Sequence, residues 1–106
     1  MKEKAIETPL VRRCLFRGWL CFKTEHVWLG FPDRMVLAPG GRAAFVETKR
    51  PGDRVARKRQ KHVHRVLRNF GFEVYLCYDE QTLEAFFLKF SGRSADKEPR
   101  RTTDSA

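Results

Sequence analysis

The chain has 106 residues, room for one domain with a single core of modest size. It carries 22 Lys and Arg against 13 Asp and Glu, a formal charge of +9, so the natural partner is a polyanion: nucleic acid, an acidic protein or an anionic membrane. No apolar stretch approaches the ~20 residues that cross a bilayer, and the amino terminus lacks the apolar run of a secretion signal, so a cytoplasmic protein with no membrane association is expected.

Ile6, Leu10, Val11, Cys14 and Leu15 share most of one helical stripe, which predicts a helix over about 3–16 ending near Gly18. Pro9 opposes the longer version, because it has no N–H and disfavours the helical region for the residue before it. A start at Thr8 as cap, with Pro9 in the first helical position, is preferred locally, and a longer kinked helix is the alternative. "WLCFKTE", 19–25, is rich in aromatic and β-favouring side chains and predicts a first strand. "RMVLA" and "AAFVETK" predict the second and third, joined through Pro39, Gly40 and Gly41, which suit a tight hairpin. Both are apolar almost throughout and are expected to lie centrally in a sheet.

"PGD", 51–53, breaks the chain, and Asp53 is placed to cap a helix from Arg54 to Phe70 whose stripe is Ala56, Val63, Val66, Leu67 and Phe70. "EVYLCYD" follows as a fourth strand and "EQTLEAFFLKF" as a last helix packing through Leu83, Phe86, Phe87 and Phe90. Residues 91–106 have no large apolar side chain and are expected to form a disordered polar tail, leaving 1–90 as the domain. Cys14, Cys21 and Cys77 are odd in number and far apart, so they read as small apolar core residues and not as a disulfide or zinc framework. The order is helix, three strands, helix, strand, helix: an α/β sandwich with a mixed four-stranded sheet.

The charges at the strand ends carry the chemistry. Glu47 and Lys49 project to one side of their strand while Thr48 points away. If the hairpin pairs Pro39 with Ala43 across a three-residue loop, Asp33 lies opposite Lys49 and diagonal to Glu47, whereas a two-residue loop would turn Asp33 to the other face. Two carboxylates brought together repel unless a cation sits between them, and oxygen ligands of this kind favour Mg2+ or Mn2+. With an ammonium beside them they describe metal-assisted phosphodiester hydrolysis. On the following helix, Gln60 shares the sheet-facing stripe and needs a polar partner there.

"GFPDRMVL", a Gly-rich turn, "FVETKRPGDR" and the downstream Gln60 together resemble the virus-type replication-repair nuclease domain, VRR-NUC, of the PD-(D/E)xK nuclease superfamily, from about Glu3 to Phe90. The resemblance implies a restriction-endonuclease-like αβββαβα fold and a Mg2+- or Mn2+-dependent DNA nuclease. It implies Asp33, Glu47 and the Thr48 carbonyl as metal ligands, Lys49 as the catalytic lysine and Gln60 at the edge of the site. A glutamate on the first helix is implied near the metal, with Glu3 and Glu7 as candidates. Stand-alone members are similar to Holliday-junction resolvases and tend to be homodimers, which implies structure-selective cleavage of branched DNA. A monomeric repair nuclease acting at flaps or nicks, and a non-catalytic basic nucleic-acid-binding module, are the alternatives.

Basic residues crowd the region just after Lys49, where Arg50, Arg54, Arg57, Lys58 and Lys61 are expected to contact DNA phosphates, with Lys23 adding another contact. His62 and His64 are two apart and cannot share a metal from a helix, so they and His26 are expected to be ordinary surface residues. Trp28, Leu29 and Phe31 precede Asp33 in a loop and suit core packing, stacking on an unpaired base, or a dimer contact equally.

Overall fold

The computed structural model describes residues 4–24, 27–50 and 57–97. Within them the chain runs α1 (Lys4–Phe16), β1 (Leu20–Lys23), β2 (Arg34–Ala38), β3 (Arg42–Thr48), α2 (Lys58–Asn69), β4 (Glu73–Cys77) and α3 (Glu80–Lys97). The strands form one sheet in the order β1-β2-β3-β4. β1, β2 and β3 pair antiparallel, and β4 joins β3 in parallel after the crossover through α2. This is the expected αβββαβα arrangement, a restriction-endonuclease-like α/β fold with β2 and β3 at its centre.

Side chains alternate across β3 and divide the interior into two layers. Ala44 and Val46 face α1 and α3 and pack with Ile6, Leu10, Cys14, Val36, Leu83, Phe86, Phe87 and Phe90. Phe45 faces the other way, into a smaller cluster with Val63 and Leu67 of α2 and Val74 of β4. The stripe predicted for the last helix is buried in full. Cys14 and Cys77 are buried and Cys21 is half-buried, consistent with the core role expected of them.

Four of the boundaries that differ from expectation have a local reason. α1 begins at Lys4 and carries Pro9 inside it. An internal proline costs ~3 kcal/mol, and burial of Ile6 and Leu10 on either side of it holds the helix together. Leu15, assigned to the buried stripe, is exposed. α2 has its N-cap at Arg57, and the cap is made from within the helix: Gln60 Oε1 accepts the Arg57 N–H at 2.8 Å. β4 stops at Cys77 because Asp79 turns away to cap α3, accepting the Thr82 N–H at 2.8 Å. α3 then continues past Phe90 to Lys97, so the first part of the expected tail is helical, each added residue gaining a hydrogen bond once the helix is nucleated. Asp53, Arg54 and Ala56 lie outside the described residues, as do Glu3, His26 and residues 98–106.

Candidate active site

The β2–β3 hairpin decides where the charges meet. Its loop has three residues, as the site requires, but they are Pro39, Gly40 and Gly41, closing the pair Ala38↔Arg42. Gly40 and Gly41 have φ of 89° and 72°, a left-handed conformation open to glycine and costly for other residues, so the chain reverses there and not one residue later. The last ladder pair is Arg34↔Val46. One step further Asp33 lies across from Glu47, not from Lys49 as the expected register had it. Because both registers have a three-residue loop, Asp33 keeps its face.

Asp33, Glu47, Thr48 and Lys49 are all buried. The strand entry is fixed from β1, since Thr24 Oγ1 donates to the Pro32 carbonyl at 2.7 Å. Thr48 donates twice to Asp33 Oδ2, from its N–H at 2.9 Å and from its hydroxyl at 2.7 Å. Gln60 bridges the other two charges: its Nε2 donates to Glu47 Oε2 at 2.9 Å, and its Oε1 accepts from Lys49 Nζ at 2.9 Å. Lys49 Nζ itself stands 4.0 Å from Glu47 Oε2. One amide therefore caps α2 and spaces the ammonium from the carboxylate.

Glu47 Oε1 is buried and has no hydrogen-bond partner among the described residues. Burial pushes the Glu47 carboxyl above its ordinary range and the Asp33 carboxylate adds to this, while His64 and Lys49 pull it back. Such a group suits a cation. Among the described residues no three His, Cys, Asp or Glu side chains converge as a dedicated cage. Two facing carboxylates, one with an unpartnered oxygen, nevertheless fit a hard divalent ion of the kind that retains several waters and takes few protein ligands.

The matching family model is the VRR-NUC domain, over residues 10–81. The chain belongs to the VRR-NUC family. VRR-NUC is a nuclease family, and its members typically use divalent metals. The match encloses Asp33, Glu47, Lys49 and Gln60 and leaves Glu7 just ahead of it. No curated protein matches the chain.

The remaining VRR-NUC candidates divide. Glu7 lies on the α1 side of the sheet, where Arg34 donates to its Oε2 through NH2 at 3.0 Å and Nε at 3.3 Å. It is thus not grouped with Glu47, which faces α2. Lys23, Arg50, Arg57, Lys58 and Lys61 are exposed, as phosphate contacts must be. Arg59 is committed elsewhere, donating to the Leu29 carbonyl at 3.3 Å with its guanidinium over Trp28. This holds the 27–31 loop against α2, and Gly30 permits the contact: a Cβ there would stand 2.6 Å from Arg59 Cγ and 3.0 Å from the Arg59 carbonyl. Trp28 and Leu29 remain exposed and Phe31 packs at the edge of the α2-side cluster. No helix among the described residues is long and apolar enough to cross a membrane.

Two contributors escaped the sequence reading. The Thr48 hydroxyl holds Asp33, a contact that strand alternation, which turns Thr48 away from Glu47 and Lys49, does not foretell. His64 is not a surface residue: it is buried, with Nε2 3.6 Å from Glu47 Oε1. Its spacing of four from Gln60, which puts both on one helical face, was the available signal.

Proposed function

We propose that this chain is a Mg2+- or Mn2+-dependent DNA endonuclease that hydrolyses phosphodiester bonds in branched DNA, Holliday junctions among them, as a homodimer. The observation that carries this is the meeting of Asp33, Glu47 and Lys49 at one end of the sheet, with Gln60 joining two of them. Asp33, Glu47 and the Thr48 carbonyl would hold the ion, which when bound offsets phosphate charge and lowers the cost of generating hydroxide from water. Lys49 presents its ammonium beside that place. Gln60 Oε1 fixes its direction, so it can orient the attacking water and stabilise the charge that grows on the phosphate as the P–O bond breaks.

Arg50, Arg57, Lys58 and Lys61, with Lys23 and Arg54, would grip the backbone without regard to sequence. Homodimerisation supplies the second cut that a four-way junction needs from a chain with one site. The exposed Leu20 and Phe22 on the edge strand β1 are apolar surface suited to such an association. Glu7 is the described candidate for the helix-borne glutamate of the family, with Glu3 the other. Glu7→Gln lowering cleavage without changing stability would assign it to the ion; a change in stability alone would leave it as the partner of Arg34.

Cleavage of labelled duplex, flap and four-way-junction DNA, with Mg2+, with Mn2+ and with neither, tests the proposal against Asp33→Ala and Lys49→Ala. Metal-dependent cutting of the junction that both variants lose is expected. Wild type inert on every substrate with either ion would remove the enzyme and leave a non-catalytic binding module. A monomer by light scattering at working concentration would remove the resolvase part and favour flaps or nicks.

A further inference from the structure

His64 is a buried side chain with no place in the chemistry described so far. It lies on α2 one turn beyond Gln60, 5% exposed, on the face that covers β3. Gln60 occupies Glu47 Oε2. His64 Nε2 stands 3.6 Å from Oε1, and each of these two atoms is buried without a hydrogen-bond partner among the described residues. Two acceptors facing each other in a low-dielectric interior would repel, so Nε2 is the protonated nitrogen and addresses the carboxylate as a donor. A small closure of the gap makes the hydrogen bond. Carboxylates that bind metal are themselves held by partners behind them, and those partners set affinity.

We propose that His64 is a positioning residue for Glu47: its Nε2–H steadies Oε1 while Gln60 holds Oε2, each oxygen keeping a second lone pair for the divalent ion, so that one face of α2 sets the plane of the carboxylate. This rests on the ion site proposed above and extends it to a residue outside that set. It also accounts for a histidine where a well-packed leucine would otherwise serve, between the buried Val63 and Leu67.

The test is Mn2+ affinity of the full chain, read from the spin-resonance signal of free Mn2+, for wild type, His64→Leu, His64→Gln and Asp33→Ala, with thermal unfolding in EDTA alongside. His64→Gln keeps an N–H donor and is expected to stay near wild type, whereas His64→Leu keeps the bulk, loses the donor and is expected to bind Mn2+ about tenfold or more weakly. It should do so without unfolding earlier. If His64 served packing alone, His64→Leu would bind Mn2+ like wild type, and that result, with Asp33→Ala impaired, would overturn the positioning role and nothing else. The pulsed spectrum of bound Mn2+ in wild type needs no variant. A nitrogen coupling there would make His64 a ligand and overturn the proposal; its absence supports it. Wild type that takes up no Mn2+, or an Asp33→Ala that takes it up equally, would instead bring down the ion site and His64's role with it.

Discussion

Under α1 and α3 the sheet buries Leu10, Val36, Val46, Leu83, Phe86 and Phe90 with no exposed surface, and five aromatic pairs pack there with centroids 4.9–5.8 Å apart. Under α2, among the described residues, the buried apolar cluster is just Phe45, Val63, Leu67 and Val74 with Phe31 and Met35 packed against it, and Glu47, Lys49 and His64 are buried on the same side. Apolar burial is favourable in proportion to area, whereas a buried charge is tolerated only where partners compensate it. The contrast teaches a division of labour. One layer supplies the stability that lets the other hold an arrangement unfavourable to folding.

The largest effect that would break this comparison is a core truncation on the dry side. Phe86→Ala is expected to cost about 3–5 kcal/mol, read from the denaturant midpoint, while Mn2+ affinity of the folded fraction stays unchanged. Lys49→Ala should do the reverse: single-turnover cleavage falls by about a hundredfold or more and the unfolding midpoint hardly moves. If Lys49→Ala unfolded the protein as readily as Phe86→Ala, the two layers would not be separable. Gly30→Ala is a smaller case at their border. With φ +83° and a Cβ forced to 3.0 Å from the Arg59 carbonyl, it is expected to cost about 1–3 kcal/mol, and the 27–31 loop should become more open to proteolysis.

The finest distinction concerns pH in the metal-free protein. Glu47 has a folded-state pKa above its ordinary 4.5, so its contribution to stability is full below that value and is lost as pH rises through the raised one. In EDTA, wild type should therefore lose stability relative to Glu47→Gln as pH rises above 4.5. A difference that stays flat with pH would mean that burial does not burden this carboxylate.

Much of the dry layer was legible in the sequence. Leu83, Phe86, Phe87 and Phe90 announce their face by spacing alone, and RMVLA became β2 residue for residue. Pro9 misled, because local propensity favours a start at Thr8 while the burial of Ile6 against the sheet rewards an earlier one. The meeting of Asp33, Glu47, Lys49 and Gln60 was legible in the sequence, whereas their contacts, the separate place of Glu7 and the burial of His64 were not. Charge and alternation bring Asp33, Glu47 and Lys49 together and the helical stripe adds Gln60, while the resemblance to VRR-NUC supplies the roles they are given. The pairing of Asp33 with Glu47 instead of Lys49 turned on which residues of Pro39–Arg42 formed the loop, and the burial of His64 turned on which face of α2 packs against β3, the face it shares with Gln60 four residues earlier.

By itself, then, the sequence determined the order of elements, the apolar faces and which charged residues meet at one end of the sheet, because these follow from periodicity within short segments. Tertiary structure alone decided the hairpin closure, the double hold of Thr48 on Asp33, the bridge of Gln60 and the burial of His64. Each of these depends on where one element stops against another, and packing between distant segments sets that, not the preferences of either segment.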